Sequence, residues 1–543
     1  MKRLALAILS LIFACGMAIA QVPPMVRLAP GTFSISTENA IAASKLWMFS
    51  SNGWRAPTQH YVPGVGATSC ISEIWRVSDD YWTTAPRFLF ANWYLTTSGG
   101  GGQEAANGNA ISIDSVGIVV GSTATQLTIA GAIPLAMADD TEAWTDAAPA
   151  ILLPPRTPFA IRTAYTVPTT AAFIASPYPG LQQSGGDKVE CGASTLAAKV
   201  LAGGIATSVP AGNLQYGYTA IAMVAKGWDG RPVALGFGTS IEQGVGQSRL
   251  YPGPFREIGP FGRGMVSMVG GALRWPAVTW AVSGGLAAGI SGTGANQGLT
   301  RRIRAIAALA QANLPMTFTY SGFGTNDQTG TLASWQGVMT PMWAAIKSSW
   351  AVPLIQSTLL DRTTSTDGFI TQTNQTATAN WVYPTGSAWG LYKWMVQQQG
   401  QTIDGVVDVA NCNDNYPTGI RGTHRVDVLD AGWSTVTTAA VTAGGTGASL
   451  TANARAGEIL AFSDNPESLI VNNITGTGPF VAAFNSALVS NHALGATIKQ
   501  SVSLDGIHPG DVLAQKIAEC AYVPAKIRGT FTNSSAGTAG TLN

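Results

Sequence analysis

Only four histidines, at positions 60, 424, 492 and 508, supply imidazole to the 543-residue chain, so chemistry that needs a general base near neutral pH has few candidates. His508 stands in Leu504-Asp505-Gly506-Ile507-His508-Pro509-Gly510. Pro509 biases His508 toward an extended backbone and suits the first position of a helix, so His508 is expected on the loop just before a helix over Pro509 to Tyr522. Asp505 can turn back and hold the imidazole in the tautomer that accepts a proton from a serine. Taken alone, an Asp capping a turn beside an incidental His explains the pattern equally well.

The serine comes from Val233-Ala234-Leu235-Gly236-Phe237-Gly238-Thr239-Ser240. An apolar strand running into Gly-Thr-Ser puts the Ser240 hydroxyl at the strand's carboxyl end, where open parallel sheets place their function. A turn serine is the bland reading. A second strand, Phe318-Thr319-Tyr320, runs into Gly324-Thr325-Asn326-Asp327. There the Asn326 amide could stabilise the negative charge that acyl transfer builds on a carbonyl oxygen, although Asn also caps helices and tolerates left-handed turns. After a third strand, Trp280-Ala281-Val282-Ser283-Gly284-Gly285 offers the Gly284 N–H as a further donor, or is simply a glycine loop. No pair of close histidines, paired cysteine ligands or Gly-x-x-x-x-Gly-Lys-Ser/Thr loop is present, which argues against a metal site and against nucleotide chemistry; no cofactor is expected.

Each of these four signals falls where a strand ends or the last helix begins. In that order and placement the sequence resembles the SGNH (GDSL-type) hydrolases, whose blocks match Gly238-Thr239-Ser240, Gly284, Gly324-Thr325-Asn326-Asp327 and Asp505-Gly506-Ile507-His508. The resemblance implies Ser240 as nucleophile, His508 as general base and Asp505 as its orienting carboxylate. The Ser240 and Gly284 N–H groups and the Asn326 amide would form the oxyanion hole. It covers about residues 230–430 and 502–525, and Thr239 stands where the family usually has Asp. The implied fold is α/β: a three-layer, flavodoxin-like sheet of five parallel strands between helices. The implied activity is a secreted serine esterase, its substrate an acyl ester such as an acetylated polysaccharide. The alternative is a surface or phage-tail-like carbohydrate-binding adhesion protein whose hydrolase domain is weak or inactive.

The elements that must position these residues follow from pattern. Residues 21–228 read as an N-terminal β-sandwich-like domain, with short runs at Phe88–Tyr94, Ala110–Val116, Gln126–Ile129 and Phe159–Thr163. From 229 to 525, strands at Val233–Phe237, Ala277–Val282, Met316–Tyr320, Pro353–Ser357 and Gly405–Val409 alternate with helices, which implies parallel pairing through crossovers. On the helix after the second strand, Leu299, Ile303, Ile306 and Ala310 share the inward face, and Arg301, Arg302 and Arg304 are expected on a solvated one. The alternation stops over about 431–501, where small strands between Gly and Asn turns read as a β insertion. The tail over 526–543 is expected to be mobile.

Composition bounds the partners. Charged residues are 11% of the chain and the formal net charge is +1, against about 25% charged in an average soluble domain, so no field steers nucleic acid or anionic lipid. Lys2 and Arg3 precede an apolar run from Leu4 to Ala14, and Ala18-Ile19-Ala20 suits signal cleavage. The expectation is a signal peptide over 1–20 cleaved after Ala20, and a secreted or periplasmic chain with no membrane span. A lipid-modified Cys15 is the lesser reading. In an oxidising compartment, Cys70 is expected to pair with Cys191 and Cys412 with Cys520, each bridge within one unit, with four buried thiols as the alternative.

Overall fold

The computed structural model describes residues 46–522 and Ile527, apart from 63–66, 98–102, 178–185, 193, 207–216, 246, 248–256, 269–272, 294–296, 328–330, 415–421, 430–432, 453, 455–457, 466, 477, 485 and 523–526. The proposed signal peptide over 1–20 and, but for Ile527, the tail over 526–543 lie outside the described residues.

A parallel sheet organises the molecule. Its order is Trp54–Arg55, Ala277–Ala281, Ala234–Gly238, Phe318–Ser321, Leu354–Ser357 and Gly405–Val407, and every neighbouring pair is parallel. Six strands stand where five were expected. The extra edge strand, two residues long, comes from the N-terminal part of the chain, where an isolated Trp-Arg pair carries no alternation to announce it. The strands are buried throughout because both sheet faces are covered. Leu235, Phe237, Val278 and Trp280 enter one core with the long helix Leu332–Ser349. Ala234, Ala277, Phe318 and Tyr320 enter another with helices Pro260–Met265 and Asp511–Ile517.

Two antiparallel sheets of five and six strands precede this unit. Phe88 and Leu89 from one, and Ile113, Val116 and Phe159 from the other, share the first of those cores with the parallel strands. The helix Thr300–Ala307 faces the same way, which corrects the solvated basic face expected of it. Arg302 is fully buried against Glu104 at 3.0 Å, Arg301 pairs with Asp140 and Arg304 with Glu142. Ile303, assigned to the inward face, is exposed. Carboxylates supplied by the β unit reverse the helix's apparent polarity, since a paired guanidinium can be buried where an unpaired one cannot.

A six-stranded antiparallel sheet occupies Thr435–Gln500 and has its own core, with Leu450, Leu460, Phe462, Val471 and Ile498. The strand Phe480–Phe484 within it carries no sequence prediction. The chain re-enters the α/β unit at Val502, and its last helix begins at Asp511 rather than Pro509, because Pro509 is held in a bridge with Ser503. Both bridges, Cys70–Cys191 and Cys412–Cys520, are present. Among the described residues no helix is long and apolar enough to cross a membrane.

Candidate active site

The apolar strand Ala234–Gly238 ends in a turn that starts a short helix at Ser240. Thr239 caps that helix, and Glu242 returns its carboxylate to the Thr239 N–H at 2.9 Å. Thr239 therefore acts as a backbone cap, and with Glu242 three residues on it forms a capping box. Ser240 opens the first turn almost buried, at 4% exposure.

Some 268 residues later the chain brings His508 to it. The imidazole Nε2 lies 2.7 Å from Ser240 Oγ, and Nδ1 lies 2.7 Å from Asp505 Oδ2. Because a carboxylate accepts, Nδ1 carries the proton and Nε2 accepts from the serine hydroxyl. Asp505 Oδ1 also accepts the N–H groups of Ile507 and His508 at 3.0 and 2.9 Å. Burial raises the Asp505 carboxyl, but the hydrogen bond and charge of His508 and these two amides bring it down to about 2.

The loop that carries Asp505 and His508 is closed on itself. Ser503, fully buried, donates to the His508 carbonyl and accepts from the Gly506 N–H, both at 2.9 Å. The Gly506 carbonyl accepts from Thr363 N–H at 2.9 Å. Gly506 has φ +76°, and a Cβ there would collide with the Thr363 carbonyl oxygen, so both backbone sign and space require glycine.

Asn326 and Gly284 arrive from neighbouring strand ends. One Asn326 amide hydrogen is donated to the Gly285 carbonyl at 3.1 Å, which leaves its second hydrogen for another acceptor. Gly285 N–H is donated to Val282 at 3.0 Å. Asp327 accepts the Ala287 N–H at 3.0 Å, and burial pushes its carboxyl up to about 6 against the Ala287 and Ala288 amides. Asn326 and Asp327 thus tie the loops after Ala277–Ala281 and Phe318–Ser321 together.

Several residues that the sequence reading passed over support this arrangement. Gln243 accepts the Ser283 N–H at 2.6 Å and donates to Thr58 at 2.7 Å. Burial pushes Glu242 up to about 7, against its bonds to Thr239 and Tyr320, and Tyr320 shares a 2.6 Å hydrogen bond with Tyr522. His424 is fully buried on Asn413, with Nδ1 to Oδ1 at 2.9 Å. Burial holds it down at about 4, against the pull of the Gly506 backbone and Asp505. The Thr-x-x-Glu spacing could have revealed Glu242; nothing local marks Gln243 or His424. His60 and His492 lie elsewhere, His60 stacked on Tyr94 and Phe173 and His492 between Asp464 and Glu467 in the insertion. Among the described residues no group of three or more His, Cys, Asp or Glu could hold a metal ion.

No protein-family model matches the chain, and no curated protein matches it. Among solved structures it is similar to Est24, a carbohydrate acetylesterase from Sinorhizobium meliloti, at 15% identity over 35% of this chain and 89% of that one, with a TM-score of 0.23. It is also similar to a possible lipase from Chitinophaga pinensis, at 13% identity over 56% of this chain and 99% of that one, with a TM-score of 0.27. A third likeness is to the salicylyl-acyltransferase SsfX3 of a tetracycline biosynthetic pathway, at 11% identity over 66% of this chain and 87% of that one, with a TM-score of 0.21. These overlaps are too loose to carry function, which rests on the site.

Proposed function

We propose that the protein is an exported serine esterase of the SGNH type that hydrolyses carboxylic esters through an acyl-enzyme, its substrate an acylated carbohydrate polymer. The observation that carries this reading is the continuous relay from Ser240 Oγ through His508 to Asp505, each step 2.7 Å. The strand order supports it: without the N-terminal edge strand the sheet runs 2-1-3-4-5 in chain order, the flavodoxin-like arrangement. The two disulfides suit an oxidising compartment.

Ser240 Oγ attacks the ester carbonyl as its proton passes to His508 Nε2. The Asp505 carboxylate, ionised at any working pH, stabilises the imidazolium that forms. Charge developing on the carbonyl oxygen would be met by the Ser240 and Gly284 N–H groups and the uncommitted Asn326 hydrogen. Gly284 is the better donor of its pair, because the Gly285 N–H is spent on Val282. His508 returns the proton to the departing alcohol, then draws one from the attacking water and passes it to Ser240 Oγ as the acid leaves.

The test is hydrolysis of 4-nitrophenyl acetate by the wild type and by Ser240→Ala. Turnover by the wild type that falls at least about a thousandfold in Ser240→Ala is expected. Equal activity in both, or none in either, overturns the reading, the second result favouring an adhesion protein with an inert hydrolase fold.

A further inference from the structure

Gln243 closes the four-residue helix that Ser240 opens, almost buried at 3% exposure, and its side-chain amide reaches in two directions. Oε1 accepts the Ser283 N–H at 2.6 Å, and Nε2 donates to the Thr58 hydroxyl at 2.7 Å. We propose that Gln243 is a positioning residue that aims the Gly284 N–H at the substrate's carbonyl oxygen, and that the N-terminal β unit, through Thr58, holds it there. This rests on the esterase reading and adds what directs the oxyanion donor, giving the β unit a task in catalysis.

Val282 to Gly285 form a turn closed by the Gly285 N–H on the Val282 carbonyl at 3.0 Å. Gly284, third in it, has φ +75°, while Ser283, second, keeps a negative φ, the combination of a type II turn. There the peptide between the second and third residues is rotated about 150° from its type I setting, so the direction of the Gly284 N–H depends on how Ser283 is held. The peptides on either side of it are both pinned, one by Gln243 and the other by Val282. Among the described residues no acceptor takes the Gly284 N–H. The turn lies against the nucleophile strand, since the Val282 N–H is donated to the Gly238 carbonyl at 3.2 Å.

Ser283 and Gly284 are exposed, so water could satisfy the Ser283 N–H without Gln243. Water would not fix its direction relative to Ser240. Gln243 does, because it shares a helix with the nucleophile. Its own amide has one orientation: the atom facing an N–H is the oxygen, which leaves the nitrogen for Thr58. Thr58 lies on the strand Pro57–Tyr61, paired antiparallel with Ile174–Pro177. Three residues earlier, Arg55 donates to the Glu242 and Gln243 carbonyls at 3.1 and 3.5 Å. The N-terminal part of the chain thus holds both the backbone and the side chain of Gln243. A donor set in advance needs no reorganisation as charge develops, and removing one costs about a hundred- to a thousandfold in kcat. Loosening one costs less.

The test is kcat and KM on 4-nitrophenyl acetate for the wild type, Gln243→Met, Gln243→Glu and Thr58→Val. Competent sites are counted with diethyl 4-nitrophenyl phosphate, in which Ser240 Oγ bonds phosphorus and 4-nitrophenolate leaves. Met keeps the volume and loses both hydrogen bonds; Glu keeps an oxygen for Ser283. Per competent site, Gln243→Met should lower kcat about tenfold with KM within about twofold. Gln243→Glu should restore most of that loss, and Thr58→Val should lose about threefold. A kcat per site in Gln243→Met within about twofold of wild type, a loss confined to KM, or equal losses in the Met and Glu variants overturns the positioning role and leaves the esterase reading standing. Wild type that cleaves no ester overturns both. Should Gln243→Met not fold, Thr58→Val decides: its loss in kcat per site upholds the role, and an unchanged kcat overturns it.

Discussion

The two β units that flank the α/β sheet are both antiparallel, yet they are attached in opposite ways and hold opposite halves of the site. The N-terminal unit merges with the sheet: it donates an edge strand, shares a hydrophobic core and buries the Arg302–Glu104 pair at the seam. Through Thr58 on Gln243, Thr97 against Gly284 and Gln103 on the Leu286 carbonyl, it braces the nucleophile turn and the loop proposed to bind the oxyanion. The insertion keeps its own core. It meets the α/β unit through contacts such as Ser468 on the Gly368 carbonyl, and then delivers the loop that carries Asp505 and His508. One support works by broad fusion and the other by a short clamp, so damage to them should differ in kind.

The clamp is where the largest functional loss is expected. Gly506→Ala would push the Thr363 carbonyl away and swing the imidazole off Ser240, and kcat/KM on an aryl ester should fall at least about a hundredfold. Gly284→Ala, on the braced side, also has positive φ, at +75°, but its Cβ meets only the Thr97 methyl at 3.3 Å. It should cost about tenfold. Similar losses in the two variants would erase the distinction between clamp and brace.

Breaking the fused seam should instead be felt in stability. Glu104→Gln leaves the Arg302 guanidinium fully buried without its counter-charge, at a cost of about 3–5 kcal/mol. Because one core runs through the β unit and the sheet, urea unfolding followed by tryptophan fluorescence should shift as a single transition. A separate early transition of the N-terminal unit would contradict fusion.

This contrast also explains what could be read from the sequence. The places of Ser240 and Asn326 after strand ends, and of Asp505 and His508 on a loop before a helix, were legible because such places leave local marks: an apolar run, then Gly and a polar residue. The seam was not. Arg302 looks like a solvated cation until Glu104, some two hundred residues earlier, is placed against it, and Trp54–Arg55 is too short to show a strand period. Long-range pairing, absent from any window of sequence, decides both cases.

The two supports meet at Glu242. Its backbone carbonyl accepts from Arg55 of the N-terminal edge strand at 3.1 Å, while its carboxyl takes the Tyr320 hydroxyl at 3.2 Å, which in turn bonds Tyr522 beyond the insertion. Burial lifts this carboxyl from 4.5 to about 7, so between those values the folded protein holds a proton that the unfolded chain releases. Its contribution to stability is therefore complete below about pH 4.5 and is lost as pH rises through 7, by up to about 3 kcal/mol. Asp79 and Asp327, each raised to about 6, add slopes of the same sign, so the test is the difference between wild type and Glu242→Gln. The Gln side chain can still accept from Thr239 and cannot ionise, and the variant should gain stability relative to wild type between pH 5 and 8 in urea titrations. A constant difference across that range would mean that Glu242 stays ionised in the fold, stabilised by the N–H groups at the helix start, and that the joint is set by the nucleophile turn alone.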